Sequence, residues 1–226
     1  MPKVSFNVNP DYAHITELVP GLLISGVTAL NRQTIDEYGI TLVVNATSEV
    51  PNLRSLGDVM RIKLWLEDTP QTYIYPHFEV LLDQIHEEIC SGGRVLVHCV
   101  AGVSRSASIC LAYLTRFVCH SLREAYHLMA AKRPLVRPNI GFWKQLIAFE
   151  ENLKSSKSSV RLIYDEVQEE HLLPDVYVHH HIPSSNDDEM FTNDLMKQQR
   201  SRRFSGERPK FHPLLEPLVE VVESAA

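Results

Sequence analysis

Hydrophobic positions fall along this chain in two alternating rhythms. Ile40-Thr41-Leu42-Val43-Val44 and Val95-Leu96-Val97 are nearly unbroken, β-branched runs, the pattern of strands buried on both faces. Met60 to Leu66 predicts a further strand that reads out into Glu67-Asp68-Thr69-Pro70. Ile15 to Ile24 is interrupted by Pro20-Gly21 and predicts two short strands joined by a turn. Between these runs the period changes. Thr28 to Tyr38 predicts a short helix ended by Gly39. Phe78, Leu81, Leu82, Ile85 and Ile89 mark one face of a helix running to about Cys90, stopped by Ser91-Gly92-Gly93. Ala107, Cys110, Leu111, Leu114, Phe117 and Val118 mark another. Ser121-Leu122-Arg123-Glu124 is a capping box opening a helix whose inner face carries Ala125, Leu128 and Met129. Asn139 is a plausible N-cap for a last helix with Phe142, Leu146, Phe149 and Leu153 as its core stripe.

Strands alternating with helices predict an α/β domain: a mainly parallel central sheet flanked by helices. Ligands of such sheets bind beyond the carboxyl ends of the strands. Asn45, Asp68 and Cys99 each follow a predicted strand, so the fold can bring them to one face. The pattern divides the chain into an N-terminal segment (1–12), the domain itself (13–156), an extension that regains apolar residues and packs back on it (157–183), and a polar, charged tail expected to be disordered (184–226). The run Ser155-Ser156-Lys157-Ser158-Ser159 reads as a linker. Pro213 and Pro217 argue against a long helix over Leu214 to Val222.

Composition narrows the classes. The 226 residues are 44% hydrophobic with a formal net charge of −6, which gives no reason to expect a nucleic-acid partner. No apolar run is long enough to span a bilayer, and neither end carries a signal-peptide or lipidation pattern, so no membrane partner is expected. Cys90, Cys99, Cys110 and Cys119 fit neither a zinc pattern nor an obvious disulfide framework. A reduced compartment follows, the cytoplasm with the nucleus left open. Oligomeric state is not fixed by the pattern.

The chemistry concentrates in Val97-His98-Cys99-Val100-Ala101-Gly102-Val103-Ser104-Arg105-Ser106. A strand end, a tight loop of small residues and a helix start follow one another here. Backbone N–H groups of such a loop point inward, and the helix N-terminus carries partial positive charge, so a phosphate dianion fits. Val100, Ala101, Gly102, Val103, Ser104 and Arg105 form the candidate phosphate-binding loop. Ala101 and Gly102 allow close backbone approach. Arg105 can grip two phosphate oxygens with its planar fork. Cys99 lies in the same positive field, where a thiol becomes a thiolate nucleophile aimed at phosphorus. Asp68 is the candidate general acid for the departing oxygen, with Glu67 as the competing carboxylate. His98 is expected to orient the loop by hydrogen bonding.

His98-Cys99, five residues, then Arg105-Ser106 resembles the signature loop of the cysteine-based protein phosphatases, and Ala101 to Ser106 is similar to their dual-specificity branch. Val44-Asn45-Ala46-Thr47, Leu66-Glu67-Asp68, Ala125-Tyr126, Arg133-Pro134 and Arg137 to Leu146 extend the resemblance to small atypical dual-specificity phosphatases, over about residues 13–153. The resemblance implies the cysteine-phosphatase fold, no cofactor and no metal. It implies hydrolysis of phosphotyrosine and phosphoserine/phosphothreonine through a phosphocysteine intermediate. It assigns Ser106 to easing the departure of the thiolate, Asp68 to the acid and Asn139 to bracing the loop, although simple capping explains Asn139 equally well. Phosphoprotein substrates are the expected partners, with signalling kinases a candidate class.

Alternatives are a phosphoinositide phosphatase, for which the loop lacks a cation before Arg105, an RNA 5′-phosphatase, for which the charge balance is wrong, and a phosphate-binding module without catalysis. His179-His180-His181 is at most a weak metal site. Arg200, Arg202 and Arg203 before Phe204-Ser205 match a site for a basophilic kinase.

Overall fold

A computed structural model describes residues 14–164 and 172–178. The N-terminal segment, the three histidines, the arginine cluster before Ser205 and the tail from residue 184 lie outside the described residues.

Five strands form the central sheet in the order β1-β2-β5-β3-β4. They are β1 (Thr16–Val19), β2 (Leu22–Ser25), β3 (Leu42–Asn45), β4 (Met60–Lys63) and β5 (Val95–His98). The first pair is an antiparallel hairpin across Pro20-Gly21, and all other pairings are parallel. β3 and β5 are entirely buried, which is why their sequences carry no polar alternation. β4 is an edge strand and is only partly covered.

The helices are α1 (Arg32–Glu37), α2 (Phe78–Cys90), α3 (Arg105–Phe117), α4 (Leu122–Lys132) and α5 (Ile140–Lys154). α3 is the central one. Every residue from Arg105 to Thr115 is buried, so its apolar stripe is a full circumference. The main core joins one face of the sheet to α2, α3, α4 and α5, and a smaller cluster of Leu23, Ile35, Ile40, Val43, Leu56 and Leu96 fills the other face.

Several boundaries differ from the sequence pattern. The helix expected from Thr28 begins at Arg32, because Asn31 accepts a hydrogen bond from the Thr34 N–H at 2.9 Å and caps it there. Val27–Ala29 is instead a 3₁₀ turn. The strand expected to reach Leu66 ends at Lys63. Beyond it the Leu64 N–H still bonds the Asn45 carbonyl, but the chain then leaves the sheet toward Asp68. Val118 and Leu153, read as core positions, are substantially exposed. In the capping box Ser121 Oγ accepts from the Glu124 N–H as expected, yet Glu124 reaches one residue further back, to the His120 N–H.

The serine run after α5 is tied down rather than free. Buried Glu150 accepts from the Leu122 N–H, the Ser158 hydroxyl and both the N–H and the hydroxyl of Ser159. These bonds outweigh the burial that opposes its charge and hold its carboxyl below the usual range. β6 (Leu162–Tyr164) and β7 (Leu172–Pro174) then pair antiparallel. Beyond them Tyr177 accepts a hydrogen bond from the Trp143 indole at 2.7 Å.

Candidate active site

β5 delivers its last residues to the carboxyl edge of the sheet between β2 and β3. His98 is buried there and its Nδ1 lies 3.3 Å from the Cys99 carbonyl. Burial pulls the His98 imidazole down to about 4, and the charges of Lys63 and Arg105 act in the same direction. The ring is therefore neutral at pH 7, in keeping with a group that orients backbone.

Cys99 is 2% exposed. Its Sγ accepts two hydrogen bonds, from the Gly102 N–H at 3.2 Å and from the Ser106 hydroxyl at 3.1 Å. The loop that curls over it has a left-handed turn at Gly102, with φ of +70°. A side chain at that position would also collide with the Ser25 backbone, so only glycine serves. Fully buried Arg133 holds the outer side of the loop, donating from Nε to the Gly102 carbonyl at 2.9 Å and from Nη2 to the Ala101 carbonyl at 3.2 Å. Those two carbonyls are drawn outward. The Val100 carbonyl likewise accepts from the Val27 N–H, and the Val103 carbonyl from the Arg137 N–H.

Ser104 is the N-cap residue of α3, but its hydroxyl makes no capping bond. It donates to Asp68 Oδ1 at 2.6 Å and accepts from the Asn139 N–H at 3.1 Å. The first turn of α3 thus keeps its N–H groups for an anion rather than spending them on a serine cap.

Arg105, 3% exposed, directs Nη1 to both oxygens of Glu49, at 2.9 and 2.6 Å, and to the Leu66 carbonyl at 3.1 Å. Its Nε is buried without a hydrogen-bond partner among the described residues, and Asp68 Oδ2 stands 3.8 Å away. Burial opposes the guanidinium charge, but Cys99, Glu49 and Asp68 outweigh it and raise its pKa. Arg105 in turn holds the Glu49 carboxyl below its ordinary value against the opposing effect of burial.

Asp68 meets the loop from across its mouth, held by Ser104 and by Asn139 Nδ2 at 2.8 Å. Its neighbour Glu67 is exposed and makes no hydrogen bond or ion pair among the described residues. The loop bearing Asp68 is pinned behind as well. The first turn of α5 lies so close to Pro70 that a side chain at Gly141 would overlap its carbonyl. Gln145 accepts from the Ile74 and Tyr75 N–H groups and donates to the Thr72 carbonyl.

Cys99, the loop from Val100 to Arg105, Ser106, His98, Asp68 and Asn139 therefore come together. Asn45 does not join them. Its side chain turns into the next loop, accepting from the Thr47 hydroxyl and donating to the Val50 carbonyl. Lys63 also donates to that carbonyl, and together they shape the turn that presents Glu49. Glu49 is a contributor that the sequence pattern does not reveal, and Arg133, matched above only as part of the Arg133-Pro134 pair, takes a role that the pair does not assign. Glu49 had a signal: it is the only carboxylate between Asn45 and Gly57, and a buried Arg105 requires a counter-ion.

A buried thiol that accepts from a loop N–H and a hydroxyl, beside a buried guanidinium at the start of the next helix, is an arrangement suited to a cysteine-based phosphatase. Comparison with known proteins agrees. The family model described as dual specificity phosphatase, catalytic domain, matches residues 22–152. Dual specificity protein phosphatase 14 of Homo sapiens is 40% identical over 168 residues, covering 74% of this chain and 82% of its own. Dual specificity protein phosphatase 18 of Homo sapiens is 36% identical over 180 residues, covering 78% and 93%. The crystal structure of human DUSP28 superimposes with a TM-score of 0.61 at 30% identity, over 66% of this chain and 99% of that one. The chain belongs to the dual specificity phosphatase family and is a cysteine-based protein phosphatase acting on phosphoproteins.

Proposed function

We propose that this phosphatase hydrolyses phosphotyrosine and phosphoserine/phosphothreonine in two steps through Cys99, and that signalling kinases are among its substrates. In the first step the Cys99 thiolate attacks phosphorus. An S–P bond forms, the P–O bond to the substrate side chain breaks, and the departing oxygen takes a proton from Asp68. In the second step water attacks the phosphocysteine and gives its proton to the Asp68 carboxylate. The S–P bond breaks, and the Ser106 hydroxyl donates to the leaving thiolate.

The observation that carries this reading is the pair of donors on Cys99 Sγ, from Gly102 and Ser106, directly under a loop whose outer carbonyls are turned away by Arg133. Such a loop offers a phosphoryl group N–H donors on one side and a nucleophile on the other. Arg105 acts as the clamp. With Nη1 engaged by Glu49 and Leu66, the edge formed by Nε and Nη2, neither of which has a hydrogen-bond partner among the described residues, is left to grip phosphoryl oxygens. Glu49 is then a positioning residue for that clamp, and Asn139 and Ser104 position Asp68.

The test is turnover of phosphotyrosyl and phosphothreonyl peptides by wild type and Cys99→Ser. Both peptides are hydrolysed by wild type and neither by the variant, which still binds phosphate. Undiminished turnover by Cys99→Ser would remove the nucleophile from this account.

A further inference from the structure

Away from the signature loop, a groove of about 410 Å³ runs between α5 and the segment leading into β6. Its floor includes the half-buried Ile147 and Leu162. Its rim carries Lys144 and Glu151 on α5, with Lys157 and Arg161 opposite, all four exposed. Glu151 is already engaged, accepting from the Ser158 N–H at 3.2 Å. Lys144, Lys157 and Arg161 make no side-chain ion pair or hydrogen bond among the described residues. Other cations of the domain do pair: Arg32 with Asp36, Arg94 with Glu17, Arg116 with Asp83, Arg123 with Asp175. Three cations without ion pairs among the described residues thus stand beside apolar surface at this groove, against the single carboxylate of Glu151.

The groove is also tied to the reaction centre through one rigid element. α5 begins at the Asn139 cap that holds Asp68, and Lys144 lies five residues further on, about 8 Å along the axis. We propose that the groove docks an acidic segment of the phosphoprotein substrate, with an apolar side chain of that segment on Ile147 and Leu162. This rests on the protein-phosphatase reading above. Attraction between an acidic segment and the three cations adds affinity that falls with salt. Tethering through the groove raises the local concentration of the phosphorylated residue at Cys99.

The test compares a short phosphotyrosine peptide with the same peptide joined to Glu-Leu-Glu-Glu-Leu-Glu by a Gly-Ser linker of about twelve residues, which spans about 20 Å. Wild type should show a KM about tenfold lower for the extended peptide, and the advantage should fade at high salt. In the combined variant Lys144→Glu, Lys157→Glu, Arg161→Glu the advantage should vanish while turnover of an aryl phosphate stays unchanged. Binding of the unphosphorylated acidic extension, followed by fluorescence anisotropy, needs no turnover and separates docking from catalysis. Weaker binding by Lys144→Gln with Arg161→Gln supports the proposal even where charge reversal disturbs folding. No KM advantage in wild type, an advantage or affinity unaltered by these substitutions, or binding of anionic lipid vesicles in place of the peptide would each overturn it. Absence of turnover on every phosphopeptide and aryl phosphate would instead strike the parent reading.

Discussion

Asn139 bonds in two directions at once: its Oδ1 accepts from the Phe142 N–H at 3.0 Å and caps α5, while its Nδ2 donates to Asp68 Oδ1 at 2.8 Å. The two roles can be separated by substitution. Asn139→Ser retains a capping oxygen but cannot reach Asp68 as a donor, so stability should change little while the rate falls for substrates with poor leaving groups. Asn139→Ala removes both and should additionally cost about 0.5–2 kcal/mol in stability. Chemical denaturation and kinetics on two aryl phosphates check this. Equal kinetics for wild type and Asn139→Ser would mean that the contact with Asp68 has no catalytic consequence.

The same contact bears on the choice between Asp68 and Glu67. Asp68 is held at the loop by three neighbours, Ser104, Asn139 and Arg105, and Glu67 by none. Asp68→Asn should slow turnover by about 10²–10⁴-fold, and by less when the leaving group is already a stable anion. Since one group must be ionised and the other protonated, the wild-type rate should be bell-shaped in pH, and Asp68→Asn should flatten the basic limb. Glu67→Gln should leave the profile intact. The reverse result would move the acid to Glu67.

Glu49→Gln keeps the shape of the side chain but replaces a charged bond to Arg105 with a neutral one. The expected effect is a weaker, less oriented clamp: KM for aryl phosphate and the inhibition constant of inorganic phosphate should both rise about tenfold, the scale of one lost charge-assisted bond. Combining Glu49→Gln with Arg105→Lys should add little to the effect of Arg105→Lys alone, because lysine has no fork left to orient. Additive effects would show that Glu49 acts elsewhere.

His98 makes the folded state sensitive to mild acid. Its folded pKa, about 4, lies below the ordinary 6.5, so the unfolded chain binds the proton more readily. Stability is therefore full above pH 6.5 and declines as pH falls toward 4, by about 3 kcal/mol over that window. Glu17, Glu49 and Glu150, whose carboxyls are held below 4.5, add their own losses from about pH 5 downward, overlapping the last part of that window. Urea denaturation between pH 7 and 4 should give a steep decline for wild type and a shallow one for His98→Asn. Parallel declines would show that another group is responsible.

The sheet and the signature loop were legible in the sequence because their physics is local. Buried parallel strands have to be continuously apolar, as Leu42 to Val44 and Val95 to Val97 are. A small-residue loop between strand and helix has few other uses. What escaped was long-range or carried by a single residue. Asn31 moved the start of α1 by one well-placed oxygen. Glu49 meets Arg105 across 56 residues, and Arg133 reaches the Gly102 carbonyl across 31, distances over which no period extends. The serine run looked like a linker because composition alone does not reveal Glu150 waiting beneath it.

In the proposed reaction phosphorus passes through Cys99, and acid quenching of a single turnover followed by peptide mapping looks for it there. A transient phosphoryl group is expected on the Cys99 peptide, more abundant in Ser106→Ala because the thiolate then leaves without its 3.1 Å hydroxyl donor. A full burst of product with no phosphorylated Cys99 peptide, in wild type and in Ser106→Ala alike, would contradict passage through Cys99.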